Sequence, residues 1–150
     1  VENNKYAISV PLHRQMNIGQ ISDRAAGYGM PGVTVDGTDV IASYSACADA
    51  IEHAVAGGGP SLVEVDVERY LPHTSDDDDT VYRDPAEVDD ARKRDPLVKL
   101  RALLVGEGLL SDERDMELRD VARAEVDSAT DAAEAAPFPS DYDVFDYVYE

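Results

Sequence analysis

The sequence predicts an α/β fold in which a parallel βαβ unit is followed by a helical tail. A valine-rich strand, an amphipathic helix and a second valine-rich strand follow one another within residues 32–67. Residues 86–136 carry a helical pattern that Pro and Gly interrupt twice. With 150 residues, of which 43% are hydrophobic, the chain is long enough to bury a core.

The first strand of the βαβ unit is predicted from Gly32 and ends at the turn signal Asp36-Gly37. Its valine-rich pattern is typical of a buried parallel strand. Before it, residues 1–6 have the pattern of a strand end that runs into a loop. Thr38 suits the N-cap position of the helix that follows.

The predicted helix carries apolar residues at helical spacing, which indicates one amphipathic face. The residues of this face are Val40, Ile41, Tyr44, Cys47, Ala48, Ile51 and Val55. The Gly-Gly-Gly-Pro segment at residues 57–60 ends the helix. The alternating residues 61–67 form the second strand, and we expect a right-handed crossover between parallel strands.

An exposed loop and a helical tail are predicted after Arg69. Pro72, four consecutive aspartates at residues 76–79 and Pro85 cannot bury much apolar surface. The tail is expected to break near residues 95–96 and 106–108, with Ser111 capping its last helix. Five aromatic residues near the C-terminus indicate a segment that docks on another surface. They are Phe138, Tyr142, Phe145, Tyr147 and Tyr149.

The charge balance excludes several classes of partner. The 32 Asp and Glu residues against 13 Lys and Arg residues give a net charge of −19, so nucleic acids and anionic membranes are poor partners. Because the acidic residues are spread along the chain, we expect a halophilic protein, with an ordinary acidic mesophile protein as the alternative. The sequence shows no membrane span or secretory signal, and its single cysteine cannot form an internal disulfide, so we expect a cytoplasmic location.

Few side chains are candidates for chemistry. Cys47 is expected to pack on its helix, and His53 to interact with the dipole at the end of that helix. The spacing of residues 76–79 is not that of a calcium loop, and His13 has no assigned role. His73 stands out because it lies in the polar loop after a parallel strand, where open α/β sheets bind ligands.

Seven short motifs occur in one order along the chain. They occupy residues 2–9 (Glu-Asn-Asn-Lys-Tyr-Ala-Ile-Ser), 25–32, 35–40, 59–64, 69–77, 82–83 and 95–97. Together they resemble the α subunit of the E1 component of thiamine-diphosphate-dependent 2-oxoacid dehydrogenases. The resemblance implies that this chain is the C-terminal part of a thiamine-diphosphate-binding, doubly wound parallel sheet followed by a helical tail.

The resemblance implies a cofactor site that contains thiamine diphosphate and Mg²⁺. Asn4 matches the residue whose side-chain oxygen binds the metal, and Tyr6 matches the residue whose backbone carbonyl binds it. Mg²⁺ prefers such hard oxygen ligands, which agrees with this assignment. His73 matches the catalytic loop histidine that contacts the cofactor and supports acyl transfer to a lipoyl arm.

Four further residues match those that order the active-site loop of the family. They are Arg69, Asp77, Tyr82 and Arg83. The implied division is a cofactor-binding part at residues 1–69, the active-site loop at 70–84, and a helical tail with an aromatic docking end at 85–150. Thr74 lies where animal members carry a regulated serine. Glu68 and the aspartates at 78 and 79 depart from the pattern of the family.

The resemblance implies oxidative decarboxylation of pyruvate or a branched-chain 2-oxo acid, with acyl transfer to the lipoyl domain of an E2 protein. It also implies an E1 β subunit as partner, in an α2β2 assembly. The first half of the cofactor motif, Gly-Asp-Gly, is not in this sequence, so the chain is expected to be inactive alone. The alternative is a split or degenerate, non-catalytic assembly module that pairs with a β-type chain.

Overall fold

The structure is a computed structural model that describes residues 1–140, 145, 146 and 148. The chain divides into two compact units, Val1–Gly106 and Glu107–Glu150, which are described separately. The three-part division at residues 1–69, 70–84 and 85–150 stays a prediction. Tyr142, Tyr147 and Tyr149 of the predicted docking end lie outside the described residues.

The first unit is a mixed α/β structure around a three-stranded parallel sheet. The described strands are β1 (Glu2–Asn3), β2 (Tyr6–Ala7), β3 (Val10–Pro11), β4 (Gly32–Asp36) and β5 (Leu62–Asp66). The sheet has the order β1-β5-β4, with Asn3 and Asp36 both level with Asp66 at its carboxyl end. The strands β2 and β3 form a separate antiparallel hairpin. The predicted parallel βαβ unit is therefore confirmed.

The turn between β4 and helix α1 (Val40–Val55) corrects one prediction. Asp39, and not Thr38, is the N-cap, because its side chain accepts hydrogen bonds from the backbone N–H of Ile41 at 2.9 Å and of Ala42 at 3.0 Å. Thr38 belongs to the turn instead, since its N–H donates to the Asp36 carboxylate and its hydroxyl accepts from Lys99. Both partners hold Thr38 in a buried position outside the helix.

The face of α1 that packs is not the predicted apolar face. Ala46 is its buried residue, and Ala42, Ser43 and Ala50 on the same side are half-buried. The large residues of the predicted face are exposed, among them Tyr44 at 73% and Val55 at 84%. Small side chains let the helix approach the sheet closely, which explains why the small-residue face packs. Cys47 was expected to pack, but it belongs to the predicted apolar face and is exposed.

The strand β4 was predicted to be buried, and this prediction is wrong. Its residues are exposed or half-buried, and Val33 is 41% exposed. The reason is its position at the edge of the described sheet, whereas β5 lies at the centre between β1 and β4. Buried residues of the unit therefore gather around β5, and they include Asn3, Ser22 and Glu64.

The helical part follows the predicted pattern closely. It contains α2 (Pro85–Arg92) and α3 (Pro96–Gly106) in the first unit and α4 (Asp112–Ala135) in the second. Ser111 caps α4 by accepting a hydrogen bond from the Arg114 N–H at 3.2 Å, as predicted. Within the described part of the chain, no helix is both long enough and apolar enough to cross a bilayer.

Candidate cofactor and metal site

Two segments meet at the carboxyl end of the sheet. The turn at residues 3–6 begins at the last residue of β1, and we call it the metal turn after its predicted ligands. The loop at residues 70–84 comes after β5, and we call it the active-site loop after its predicted role. Because β1 and β5 are neighbouring parallel strands, their following segments emerge at the same edge. Ligands of open α/β sheets bind outside this edge.

The metal turn presents two oxygens on one side of the β2–β3 hairpin. The Asn4 side-chain oxygen accepts a hydrogen bond from the Tyr6 N–H at 3.0 Å, which leaves its second lone pair for another partner. The Leu12 N–H donates to the Lys5 carbonyl at 2.7 Å, so the next residue pair of the antiparallel ladder, Tyr6 and Pro11, is a non-hydrogen-bonded pair. The Tyr6 carbonyl therefore points away from β3, on the same edge as the Asn4 oxygen.

These two oxygens fit a magnesium ion that also binds phosphate. Mg²⁺ takes about six oxygen ligands and usually keeps water and substrate phosphates among them, so a protein needs to supply only a few. An amide oxygen and a carbonyl oxygen two residues apart meet that need. Within residues 1–140, 145, 146 and 148, no cluster of three or more His, Cys, Asp or Glu side chains is arranged for a metal.

The metal turn rests on a buried carboxylate. Asn3 is 4% exposed and Glu64 is 1% exposed. One Glu64 oxygen, Oε1, accepts from Asn3 Nδ2 at 2.6 Å. The other, Oε2, accepts from the Ser22 N–H at 2.8 Å and from the Thr34 hydroxyl at 2.9 Å. Glu64 thus joins β5 to β1, to β4 and to the 3-10 helical segment Ile21–Tyr28.

Glu64 is ionised in spite of its burial. Burial alone raises the pKa of a carboxyl group, but the hydrogen bonds from Ser22, Thr34 and Asn3 favour the charged form more strongly. They bring the pKa of Glu64 to about 2 from an ordinary value of 4.5. A buried carboxylate of this kind is fully bonded and fixed in place.

The Tyr6 side chain links the metal turn to the active-site loop. The guanidinium carbons of Arg83 and Arg69 lie 5.2 Å and 5.6 Å from the centre of its ring, within the range of cation–π contacts. The rings of Tyr6 and Tyr82 are 5.8 Å apart between centroids. The Tyr6 hydroxyl donates to Glu87 at 3.1 Å, and burial together with this bond raises the pKa of Tyr6.

A chain of hydrogen bonds runs from Arg69 to the backbone of His73. Arg69 donates to the Tyr82 hydroxyl at 2.7 Å, and that hydroxyl donates to Asp77 Oδ2 at 2.5 Å. The same carboxylate oxygen accepts from the His73 N–H at 2.8 Å. The bonds from Tyr82 and His73 lower the pKa of Asp77, while burial and the bond to Asp77 raise the pKa of Tyr82.

Arg83 is the buried anchor of this cluster. It is 4% exposed and donates to the Arg69 carbonyl at 2.7 Å and to Glu87 at 3.2 Å. A second carboxylate, that of Asp79, lies 3.7 Å away. Arg69 also reaches the hairpin, because it donates to the Ile8 carbonyl at 3.0 Å. Ile8 has a positive φ of 56°, which a β-branched residue rarely adopts, so this contact holds a strained turn.

The structure brings most of the predicted site residues together. Tyr6, Arg69, Tyr82 and Arg83 form one cluster, to which Asp77 is bonded. Asn4 is joined to it through Tyr6, and the His73 backbone through Asp77, while the His73 side chain is exposed.

Three other side chains stand apart from this cluster. His13 lies in an exposed 3-10 turn, Leu12–Arg14. His53 lies in the last turn of α1, beside Gly58. Cys47 is exposed and lies earlier in the same helix.

Sequence reasoning missed Asn3, Glu64 and Glu87. A signal for Glu64 was present, since it is a charged residue inside a valine-rich strand, where an unbonded carboxylate is costly. A signal for Glu87 was its position four residues after Arg83 at the start of a helix. Asn3 gave no local signal, because its partners Glu64 and Asp66 lie more than 60 residues away.

Known proteins match nearly the whole of this chain. Residues 1–141 match the model of the family described as dehydrogenase E1 component. The chain is 51% identical over 148 residues to the 2-oxoisovalerate dehydrogenase subunit alpha of Bacillus subtilis, which covers 99% of this chain and 45% of that protein.

Two further relatives agree with this match. The chain is 40% identical over 151 residues to the pyruvate dehydrogenase E1 component subunit alpha of Bacillus subtilis, covering 100% of this chain and 41% of that protein. It is 41% identical over 149 residues to the 3-methyl-2-oxobutanoate dehydrogenase subunit alpha of Mycobacterium tuberculosis, covering 99% and 41%. The chain thus spans less than half the length of these relatives. The resemblance drawn from the seven motifs is confirmed, and the chain belongs to the dehydrogenase E1 component family.

Proposed function

We propose that this chain is the part of an E1 α subunit that completes a Mg²⁺–thiamine diphosphate site and presents a catalytic histidine to it. The enzyme would decarboxylate pyruvate or a branched-chain 2-oxo acid and transfer the acyl group to the lipoyl domain of an E2 protein. The observation that carries the proposal is the contact of the metal turn with the active-site loop, in which the Tyr6 ring packs against Tyr82 and Arg83. Similarity to α subunits along the whole chain favours this function over a non-catalytic assembly module.

In this proposal, Asn4 and Tyr6 hold the metal through their side-chain and backbone oxygens. Bound thiamine diphosphate supplies the carbanion chemistry of decarboxylation, and the protein supplies orientation and electrostatics. A cleft of about 620 Å³ opens beside Tyr6 and is lined by Lys5 and Arg94 among others. Its volume lies in the range of small-molecule sites.

His73 acts, in this proposal, from the exposed part of the active-site loop. The bond from its N–H to Asp77 fixes its backbone, so the imidazole starts from a defined position. The ring N–H of a histidine suits donation of a hydrogen bond or a proton to the bound intermediate during acyl transfer. The cluster of Arg69, Tyr82 and Arg83 keeps the loop in place for this role.

The proposed partners are an E1 β subunit, in an α2β2 assembly, and the lipoyl domain of E2. The activity of this chain alone is expected to be absent, because the Gly-Asp-Gly half of the cofactor motif is not in this sequence. The net charge of −19 argues against a nucleic-acid partner.

The test uses the assembled α/β enzyme with the variant His73→Ala. We expect reductive acylation of the lipoyl domain to fall about 100-fold or more, the usual size of a general acid–base contribution. His53→Ala is the matched control, since it removes an exposed histidine from the far end of α1. Acylation by His73→Ala at the rate of the control would contradict the proposed role.

A further inference from the structure

We propose that Glu64 is a positioning residue for the metal turn, and that it acts on Asn4 and Tyr6 through Asn3. The inference rests on the proposed function, because it takes Asn4 and Tyr6 as metal ligands. Glu64 itself is buried and supplies no metal ligand in this proposal. Its only direct contact with the metal turn that the structure describes is the 2.6 Å hydrogen bond from Asn3 Nδ2.

The first step of the argument is the way in which Asn3 shapes the turn. Its side-chain oxygen accepts the Lys5 N–H at 3.0 Å, and its Nδ2 also reaches Asp66 at 3.3 Å. Lys5 has a positive φ of 68°. A non-glycine residue adopts this conformation only when its surroundings impose it. Asn3 therefore imposes the backbone path that sets Asn4 and Tyr6 on one side.

The second step is that Asn3 is fixed by Glu64. Asn3 is buried, so the orientation of its amide depends on the groups that it bonds. Glu64 Oε1 takes one amide hydrogen, which leaves the amide oxygen directed at the Lys5 N–H. A neutral amide at position 64 would offer Asn3 a weaker acceptor or a competing donor. The turn would then lose the constraint that holds it.

The third step separates this role from the general support that Glu64 gives to the sheet. Its two oxygens serve different neighbours: Oε1 serves Asn3, and Oε2 serves Ser22 and Thr34 on the other side. The variant Thr34→Val removes a bond to Oε2 and leaves the bond to Asn3 intact. It is therefore a matched control that weakens the same buried cluster without acting on the metal turn.

The experiment measures binding of Mn²⁺, as a probe for Mg²⁺, to the assembled α/β enzyme in the presence of thiamine diphosphate. Free Mn²⁺ is quantified by electron paramagnetic resonance, so no catalytic turnover is needed. Residues that orient metal ligands typically change affinity 10- to 100-fold. We expect a loss of about tenfold or more for Glu64→Gln and for Asn3→Ala, and less than about threefold for Thr34→Val.

The double variant Glu64→Gln with Asn3→Ala tests the route of the effect. Because Glu64 acts through Asn3, the double variant should bind Mn²⁺ no more weakly than the weaker-binding single variant. Additive losses would overturn the proposal, as would equal losses for Glu64→Gln and Thr34→Val. If Glu64→Gln does not assemble, Asn3→Ala decides the matter: unchanged affinity overturns the proposal and weakened affinity supports it.

The variant Asn4→Ala distinguishes the two levels of the argument. Unchanged Mn²⁺ affinity in this variant would remove the proposed ligand, and the function proposed above would fail together with the inference. Weakened affinity in Asn4→Ala, with Glu64→Gln no different from Thr34→Val, would leave the proposed function standing and overturn only the role of Glu64.

Discussion

Replacing Glu64 by Gln should destabilise the centre of the sheet by a predictable amount. The carboxyl group has a pKa of about 2 in the folded chain, against an ordinary value of 4.5. Since one pH unit corresponds to about 1.4 kcal/mol, this difference is worth about 3 kcal/mol of folded-state stability at neutral pH. The side chain is 1% exposed, so solvent screens little of this contribution.

Hydrogen exchange of the Ser22 amide measures this contribution locally, because that amide donates to Glu64 Oε2. In the assembled enzyme at pH 7, we expect Glu64→Gln to lower the opening free energy by about 2 to 3 kcal/mol, which reduces protection about 30- to 150-fold. Glu52→Gln, an exposed change on α1, is the control and should leave the protection unchanged. Protection in Glu64→Gln within about twofold of the control would refute the reasoning.

The pH dependence of the unchanged protein follows from the same pKa. The pKa of Glu64 is lowered in the folded state, so its contribution is complete above about 4.5 and is lost as the pH falls towards about 2. Exchange measurements corrected for intrinsic rates should therefore show constant protection of Ser22 between pH 7 and pH 5. Protection should decline below that window, and the decline should be absent in Glu64→Gln.

Two further substitutions test the active-site loop and the turn after β4. Tyr82→Phe removes the hydroxyl that joins Arg69 to Asp77, so a protease should cleave the chain within residues 71–76 several-fold faster. The control Tyr28→Phe, which changes an exposed residue, should be cleaved at the rate of the unchanged protein. Equal cleavage rates in the two variants would contradict the loop assignment. Gly37→Ala places a Cβ 2.6 Å from the Asp66 carbonyl and should lower the thermal midpoint through about 1–3 kcal/mol of strain. A Cβ at Gly27 meets nothing within 4 Å, so Gly27→Ala should leave the thermal midpoint unchanged. Equal midpoints for Gly37→Ala and Gly27→Ala would count against the packing described at Gly37.

The parts of the fold that the sequence predicted are those governed by local pattern. The βαβ unit was readable because its strand and helix periodicities and the Gly-rich stop at residues 57–60 act within a few residues. The face of α1 that packs on the sheet was not readable from the sequence, since the helix carries both a small-residue face and a large apolar face. Only the packing decides between them. The exposure of β4 likewise depends on its place in the sheet rather than on its own residues.

The candidate site also depends on contacts that a local sequence pattern does not reveal. The resemblance to a family supplied Asn4, Tyr6, His73 and the loop residues, which no local pattern would have joined. The contacts that connect them cross long stretches of sequence, as in the bond from Tyr6 to Glu87, 81 residues apart. Glu64 and Asn3 were missed because a buried hydrogen-bonded network is defined by partners that only the folded chain brings together.

The most direct test of the central claim is an anomalous-scattering map of the assembled α/β enzyme crystallised with thiamine diphosphate and Mn²⁺ in place of Mg²⁺. The account predicts a manganese peak bound by the Asn4 side-chain oxygen and the Tyr6 carbonyl, at distances only slightly longer than the 2.0–2.1 Å typical of Mg²⁺. A peak whose ligands include neither oxygen would contradict the account.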